Sequence, residues 1–341
     1  ALAIGFLARW RRAGGRIAPD LLTDPRRWPL RLAPWVAVGW GLVAFNTTVE
    51  MPSCSDRDAL GVTTLLEDGA AFDLASNGRT LLAVHREERR LTLLDLRTGV
   101  RVDIPVAGGE PEEVLALPGT EDYLVTVVLE ETEPYGSEAS LIRVGPAGAK
   151  TLAGPPLCAV ASMVWDPVDG SVLLGCELEP TVRRMQPSTN WISGAVLNGS
   201  TQGLEDLVLA DGRLFSVPLL NGVAVQVLDA ASLALLQTRR IGGFVYEAEV
   251  DLPRRRLVLS RFVDSAIVAL HLDTLETVAR GRTAFGVRPI EVFADRGRIA
   301  AASMMHTGPW LLDAQTLRGR RMDLGGLSKG LAQDPDGHTL Y

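Results

Sequence analysis

Four carboxylates recur at nearly one phase of this chain: Asp206, Glu249 and Glu291 each lie six residues before a turn motif, and Glu113 lies seven before one. Acidic side chains gathered at one place repel one another. Some then hold protons more tightly than usual, and the group favours a bound cation, a divalent metal ion included, or a cationic part of a partner. Residues so far apart in sequence meet only if the elements carrying them repeat around a common axis. A second acidic group, Glu130, Glu131 and Glu133 with Tyr135, sits in an insertion between Leu129 and Ser140. Long loops on rigid scaffolds concentrate binding function, which makes these four the candidate protein-contact residues.

The turn motifs supply the repetition. They read SNGRTLLAV at Gly78, VDGSVLLG at Gly170, ADGRLFSV at Gly212, DRGRIAAA at Gly297 and PDGHTLY at Gly337, with degenerate copies at Thr120 and Arg255. Their spacings are 42, 50, 42, 43, 42 and 40 residues, and the acidic insertion accounts for the long one. Apolar runs ending in a turn at Asp95, Asp229, Asp273 and Asp313 form a second landmark in the same register. Glycine accepts positive φ and aspartate bonds to turn backbone, so both landmarks mark strand ends. Each repeat reads as four short strands, and a period of this length with four strands predicts an all-β propeller. Equivalent positions in a propeller form a ring around one mouth of the central channel, which places the four carboxylates together.

The stretch Thr80 to Val127, TLLAVHREERRLTLLDLRTGVRVDIPVAGGEPEEVLALPGTEDYLVTV, resembles the YVTN-type repeat: a strand, a turn, a strand ending in Asp, a valine-rich strand and Gly-Gly-x-Pro before the next unit. The resemblance extends at pattern level over residues 60–341 and implies a seven-bladed β-propeller of a kind often found outside the cytoplasm. YVTN-type repeats usually place an apolar residue where the four acids stand, so the ring is a departure from the pattern. The resemblance also reaches propellers that act as lactonases or carry quinone cofactors. On this reading the seventh blade is incomplete, Leu60–Glu67 is its outer strand, and the chain is expected to be a piece of a longer protein.

Net charge is −7, unevenly spread. Residues 1–58 hold eight arginines and five acids, leaving 26 basic against 36 acidic residues in the remainder. An acidic propeller has no electrostatic footprint for nucleic acid. The N-terminal part differs in kind. Residues 32–49, LAPWVAVGWGLVAFNTTV, carry no charge and are flanked by Trp28 and Trp35, the pattern of a helical transmembrane segment with interfacial anchors. Seven arginines between Arg9 and Arg31 place the preceding loop in the cytoplasm and the propeller on the extracytoplasmic, periplasmic side. The expected organisation is a membrane segment over 1–45, a linker over 46–59 and a propeller over 60–341. Two other readings of the segment stay open: PRRWPLR resembles a twin-arginine export signal, and Trp35–Phe45 fits a buried helix.

Cys158 and Cys176 fall near the open end of one hairpin, where a disulfide and two free buried thiols are both compatible with the spacing. The chain has no C-x-x-C or P-loop motif, and its four histidines occupy different repeats at different phases. The expectation is a membrane-tethered propeller that binds a small-molecule or protein ligand on its acidic channel face. A propeller enzyme, lactonase-like or dependent on a quinone or metal, and an accessory sensor of a polytopic membrane protein are the alternatives.

Overall fold

A β-branched and leucine-rich strand that alternates its side chains between two faces, each face covered by a neighbour, is the unit from which this molecule is built. The second strand of the fifth repeat, Arg256–Arg261, shows it. Its Leu257 and Leu259 pack with Val208, Phe215 and Val225 of the preceding repeat. Its Val258, between them, packs with Ile290, Ile299 and Ala301 of the following one. Side chains of successive strand residues point to opposite faces, so a strand buried on both reads as a continuous apolar run. The same division holds between the first and second sheets, the second and third, and the third and fourth. The core is thus not one central mass but a series of layers between consecutive sheets.

A computed structural model describes residues 65, 71–129, 138–152, 157–189, 191–196, 203–218, 224–306, 308–322, 324 and 330–341. The described strands form six antiparallel sheets, five with four strands and one with five; the first four strands of each follow sequence order from the innermost outward, and the fifth strand of the larger sheet pairs with its third. This is a β-propeller. The innermost strands are Asp73–Ser76, Gly109–Ala116, Val160–Asp166, Leu204–Ala210, Val245–Asp251 and Val287–Phe293, and their sheets are blades 1 to 6. Outermost strands such as Leu235–Arg240 are largely exposed.

The repeat predicts seven blades, the last incomplete, and the described residues form six complete ones. In the seventh place, residues 330–341 contribute only a bridge between Gln333 and Leu340. The segment nevertheless bonds to both neighbours: Asp334 accepts a hydrogen bond from Ser76 Oγ of blade 1 at 2.7 Å, and His338 meets Arg296 of blade 6. Apart from Leu65, the expected outer strand Leu60–Glu67 lies outside the described residues, as do the segment 32–49, the linker, and Glu130, Glu131, Glu133 and Tyr135. Among the described residues no helix is long and apolar enough to cross a membrane.

The turn landmarks behave as the residue types dictate. Gly78, Gly170, Gly212, Gly297 and Gly337 all have positive φ, and Arg255 takes the left-handed conformation at φ 50°. In blade 2 the positive-φ residue is Gly119, one before Thr120. Glu113 therefore lies six residues before its turn glycine, in phase with Asp206, Glu249 and Glu291.

Cys158 and Cys176 form a disulfide with Cα atoms 5.6 Å apart. Leu157–Cys158 pairs with the third strand of blade 2, whereas Cys176 ends the second strand of blade 3. The bond ties two blades together.

Candidate functional site: an acidic channel mouth

The innermost strands do not run straight into the channel. In blades 2 to 6 the pairing of the first and second strands slips near the start of the first, at Pro111/Val114, Val160/Ser162, Leu204/Asp206, Val245/Ala248 and Val287/Ile290. An extra residue in a strand re-aims side chains that regular pleating would send between blades. The residues within or beside these slips include Glu112, Glu113, Glu205, Asp206, Tyr246, Glu247 and Arg288. All of them line one cavity of about 650 Å³, which Asp73, Glu177, Glu249 and Glu291 also line.

The structure therefore brings together all four carboxylates singled out by phase. It adds five that phase did not reveal: Asp73, Glu112, Glu177, Glu205 and Glu247. Asp73 stands five residues before Gly78, one off the expected spacing, and Glu177 follows a second strand instead of starting a first. The other three sit next to bulges, whose extra residue no repeat spacing encodes.

Two groups of these carboxylates differ most in chemistry. Asp73, Asp206 and Glu247 hold the backbone of the next blade. Asp73 Oδ2 accepts from Val114 N–H at 2.9 Å, and Asp206 Oδ2 accepts from Ala248 N–H at 2.7 Å. Glu247 Oε1 accepts from Ile290 N–H at 3.4 Å. Each donor is the first regularly paired residue after its bulge. Asp206 Oδ1 also accepts from Ser162 Oγ and from Leu207 N–H, both at 2.7 Å, so one side chain joins blades 3, 4 and 5. In contrast, Glu177 and Glu205 make no side-chain hydrogen bond or ion pair among the described residues.

Among the described residues two cations line the cavity with these nine acids, Arg86 and Arg288. Arg86 pairs with Glu110 at 2.9 Å and Glu112 at 2.6 Å. Arg288 lies 4.7 Å from the centre of the Phe72 ring and 4.7 Å from that of Tyr246, with Glu113 at 3.7 Å. Its Nη1 is buried without a hydrogen-bond partner. Burial works against this charge, but Tyr246, Glu113, Glu247 and Asp73 outweigh it, and the pKa is raised.

Withdrawal from water raises the proton affinity of the carboxylates. Burial pushes Asp206 up to about 6 against the pull of Ser162 and two backbone N–H groups. It pushes Glu112 up to about 7, with Arg86 opposing. Glu113, Glu205, Glu247 and Glu291 are raised well above the ordinary range, first by burial and then by neighbouring acids. No histidine lines the cavity among the described residues.

No protein-family profile and no curated protein sequence matches the chain. Solved structures do resemble it. A chain of "Crystal Structure of Mitotic Checkpoint Complex" matches at TM-score 0.65 and 14% identity, over 81% of this chain and 86% of its own length. A chain of "Kuenenia stuttgartiensis Hydrazine Synthase" matches at TM-score 0.65 and 13% identity, over 82% and 94%. "Structure of U3-55K" matches at TM-score 0.64 and 12% identity, over 81% and 88%. Likeness at such identities defines a fold shared by proteins of unrelated roles, and function has to be argued from the site.

Proposed function

We propose that this protein is a membrane-tethered, extracytoplasmic propeller whose channel mouth binds a cationic small molecule or the cationic surface of a protein partner. The observation that carries the reading is the charge of the cavity, nine carboxylates with two arginines in about 650 Å³. A cleft with one sign of charge focuses its field and concentrates ligands of the other sign. The volume falls in the range of small-molecule sites, and the strands around it form a rigid ring. The uncharged segment 32–49 and the arginines before it supply the tether and the orientation. A disulfide between buried cysteines agrees with an oxidising compartment.

Two experiments test the two halves of the proposal. Calorimetric titration of the detergent-solubilised full chain at pH 8 with arginine methyl ester, calcium chloride and sodium acetate should give saturable heat with at least one cation and none with acetate. Failure of both cations to bind refutes the binding role. For the location, alkaline phosphatase fused after Tyr341 in a bacterial host should be active, because that enzyme matures only outside the cytoplasm. An inactive but stably produced fusion contradicts the orientation.

A further inference from the structure

Three features of the cavity bear on which kind of cation it takes. The first is donor spacing. Among the described residues, no three of the channel carboxylates bring oxygens within 4.8 Å of one another; the one acidic or thiol trio that does is Cys158, Cys176 and Glu179, whose sulfurs are bonded to each other. A divalent metal ion needs several oxygens at about 2–2.6 Å, hence closely clustered. The second is the commitment of the lone pairs: Asp73 and Asp206 already spend theirs on backbone N–H groups.

The third is an occupant. Arg288 shows what a cation does here, since its guanidinium lies between the rings of Phe72 and Tyr246 and against Glu113, with Nη1 enclosed and unpartnered. Aromatic faces attract organic cations through the ring quadrupole, an attraction that strengthens as water is excluded. Tyr246 packs against Phe262 and Phe244, with ring centres 5.7 Å and 6.1 Å away, and Phe262 against Phe285 at 5.5 Å. Of these half-buried rings Tyr246 lines the cavity, and the three phenylalanines support it from outside the lining. Lining the same cavity as Tyr246 are Glu205 and Glu177, the two carboxylates without a hydrogen-bond or ion-pair partner among the described residues.

We infer that the channel mouth is a site for an alkylguanidinium or alkylammonium group, with Glu177 and Glu205 taking the charge and the ring of Tyr246 taking the apolar body. The inference rests on the cation-binding reading above and narrows it. Such a group occurs both on free small molecules and on the arginine or lysine side chains of a polypeptide.

The test is calorimetry on the full chain with four probes: arginine methyl ester, butylammonium, the capped peptide Gly-Arg-Gly and calcium chloride. The organic cations are expected to bind at least tenfold more tightly than calcium. The double variant Glu177→Gln/Glu205→Gln should abolish that preference, and its lack of disturbed hydrogen bonds keeps folding intact. Tyr246→Leu should weaken organic cations by about fivefold or more and leave calcium unaffected, given the size of cation–π attraction in desolvated sites. Should Tyr246→Leu misfold by circular dichroism, Phe72→Leu at the other aromatic ring lining the cavity replaces it, with loss confined to the organic cations. Tighter binding of the peptide than of the ester assigns the group to a polypeptide, and equal binding assigns it to a small molecule; both support the inference. Binding of calcium alone overturns it while sparing the broader proposal, and silence from every cation overturns both.

Discussion

Asp206 carries more of the architecture than any of the other acids found by phase. It accepts from Ser162 Oγ, Leu207 N–H and Ala248 N–H, three donors on three blades. Removing an acceptor from buried donors costs the desolvation of each, about 1–3 kcal/mol apiece. Asp206→Ala should therefore lower unfolding free energy by roughly 2–5 kcal/mol in urea, and Glu205→Gln beside it, which removes a buried charge and no hydrogen bond, should not lower it. Equal loss in the two variants would refute the division between structural and ligand-facing acids. Proton linkage follows from the same residues. Asp206 at about 6 and Glu112 at about 7 bind protons more tightly folded than unfolded, as do Glu205 and Glu247. A raised folded pKa contributes stability that is full below the unfolded value and is lost as pH rises through the folded one. Thermal stability should accordingly climb as pH falls from 8 to 5, whereas cation binding should weaken over the same interval. A scan showing stability falling with acidification would contradict the burial of these groups. The phase of Glu113, Asp206, Glu249 and Glu291 was legible in sequence because strand position repeats. Glu205 and Glu247 were not, because a bulge adds a residue without any change in residue type to announce it.

At the level of elements, strands were readable where both faces are covered. Runs such as RLVLSR and TLLAVH have no polar face, and the layers between blades explain why. Turn glycines were readable too, with one displacement at Gly119 where the sequence suggested Thr120. The blade 2 to blade 3 link was not decided by spacing, since a fifth strand of only two residues, Leu157–Cys158, carries Cys158 onto the neighbouring sheet. That disulfide closes a loop of 18 residues between buried sulfurs, Cys158 at 6% exposure and Cys176 at 0%. Chain-entropy arguments give such a closure roughly 3 kcal/mol. The double variant Cys158→Ala/Cys176→Ala should melt several degrees lower, and dithiothreitol should fail to reduce the native protein until denaturant opens it. Rapid reduction under native conditions would show that the blades part more easily than their packing implies.

For the whole molecule, the repeat of about 42 residues dictated the propeller, because only stacking of successive four-stranded units covers every strand face. Blade number was less secure in sequence. Six sheets are complete, and residues 330–341 bridge blade 6 and blade 1 through Arg296–His338 and Asp334–Ser76. A turn motif signals that a hairpin begins, not that four strands follow. The ring places acids from every complete blade around one opening: Asp73, Glu113, Glu177, Asp206, Glu249 and Glu291 come from blades 1 to 6 in turn. No single strand contains that property, and the proposed function depends on it. The most direct measurement is titration of the full chain with arginine methyl ester at pH 8 and at pH 5, in low and high salt. The account predicts saturable binding at pH 8 that weakens in salt and is largely lost at pH 5. Affinity that is unchanged at pH 5, or absent at pH 8, would contradict a channel whose ionised carboxylates bind the cation.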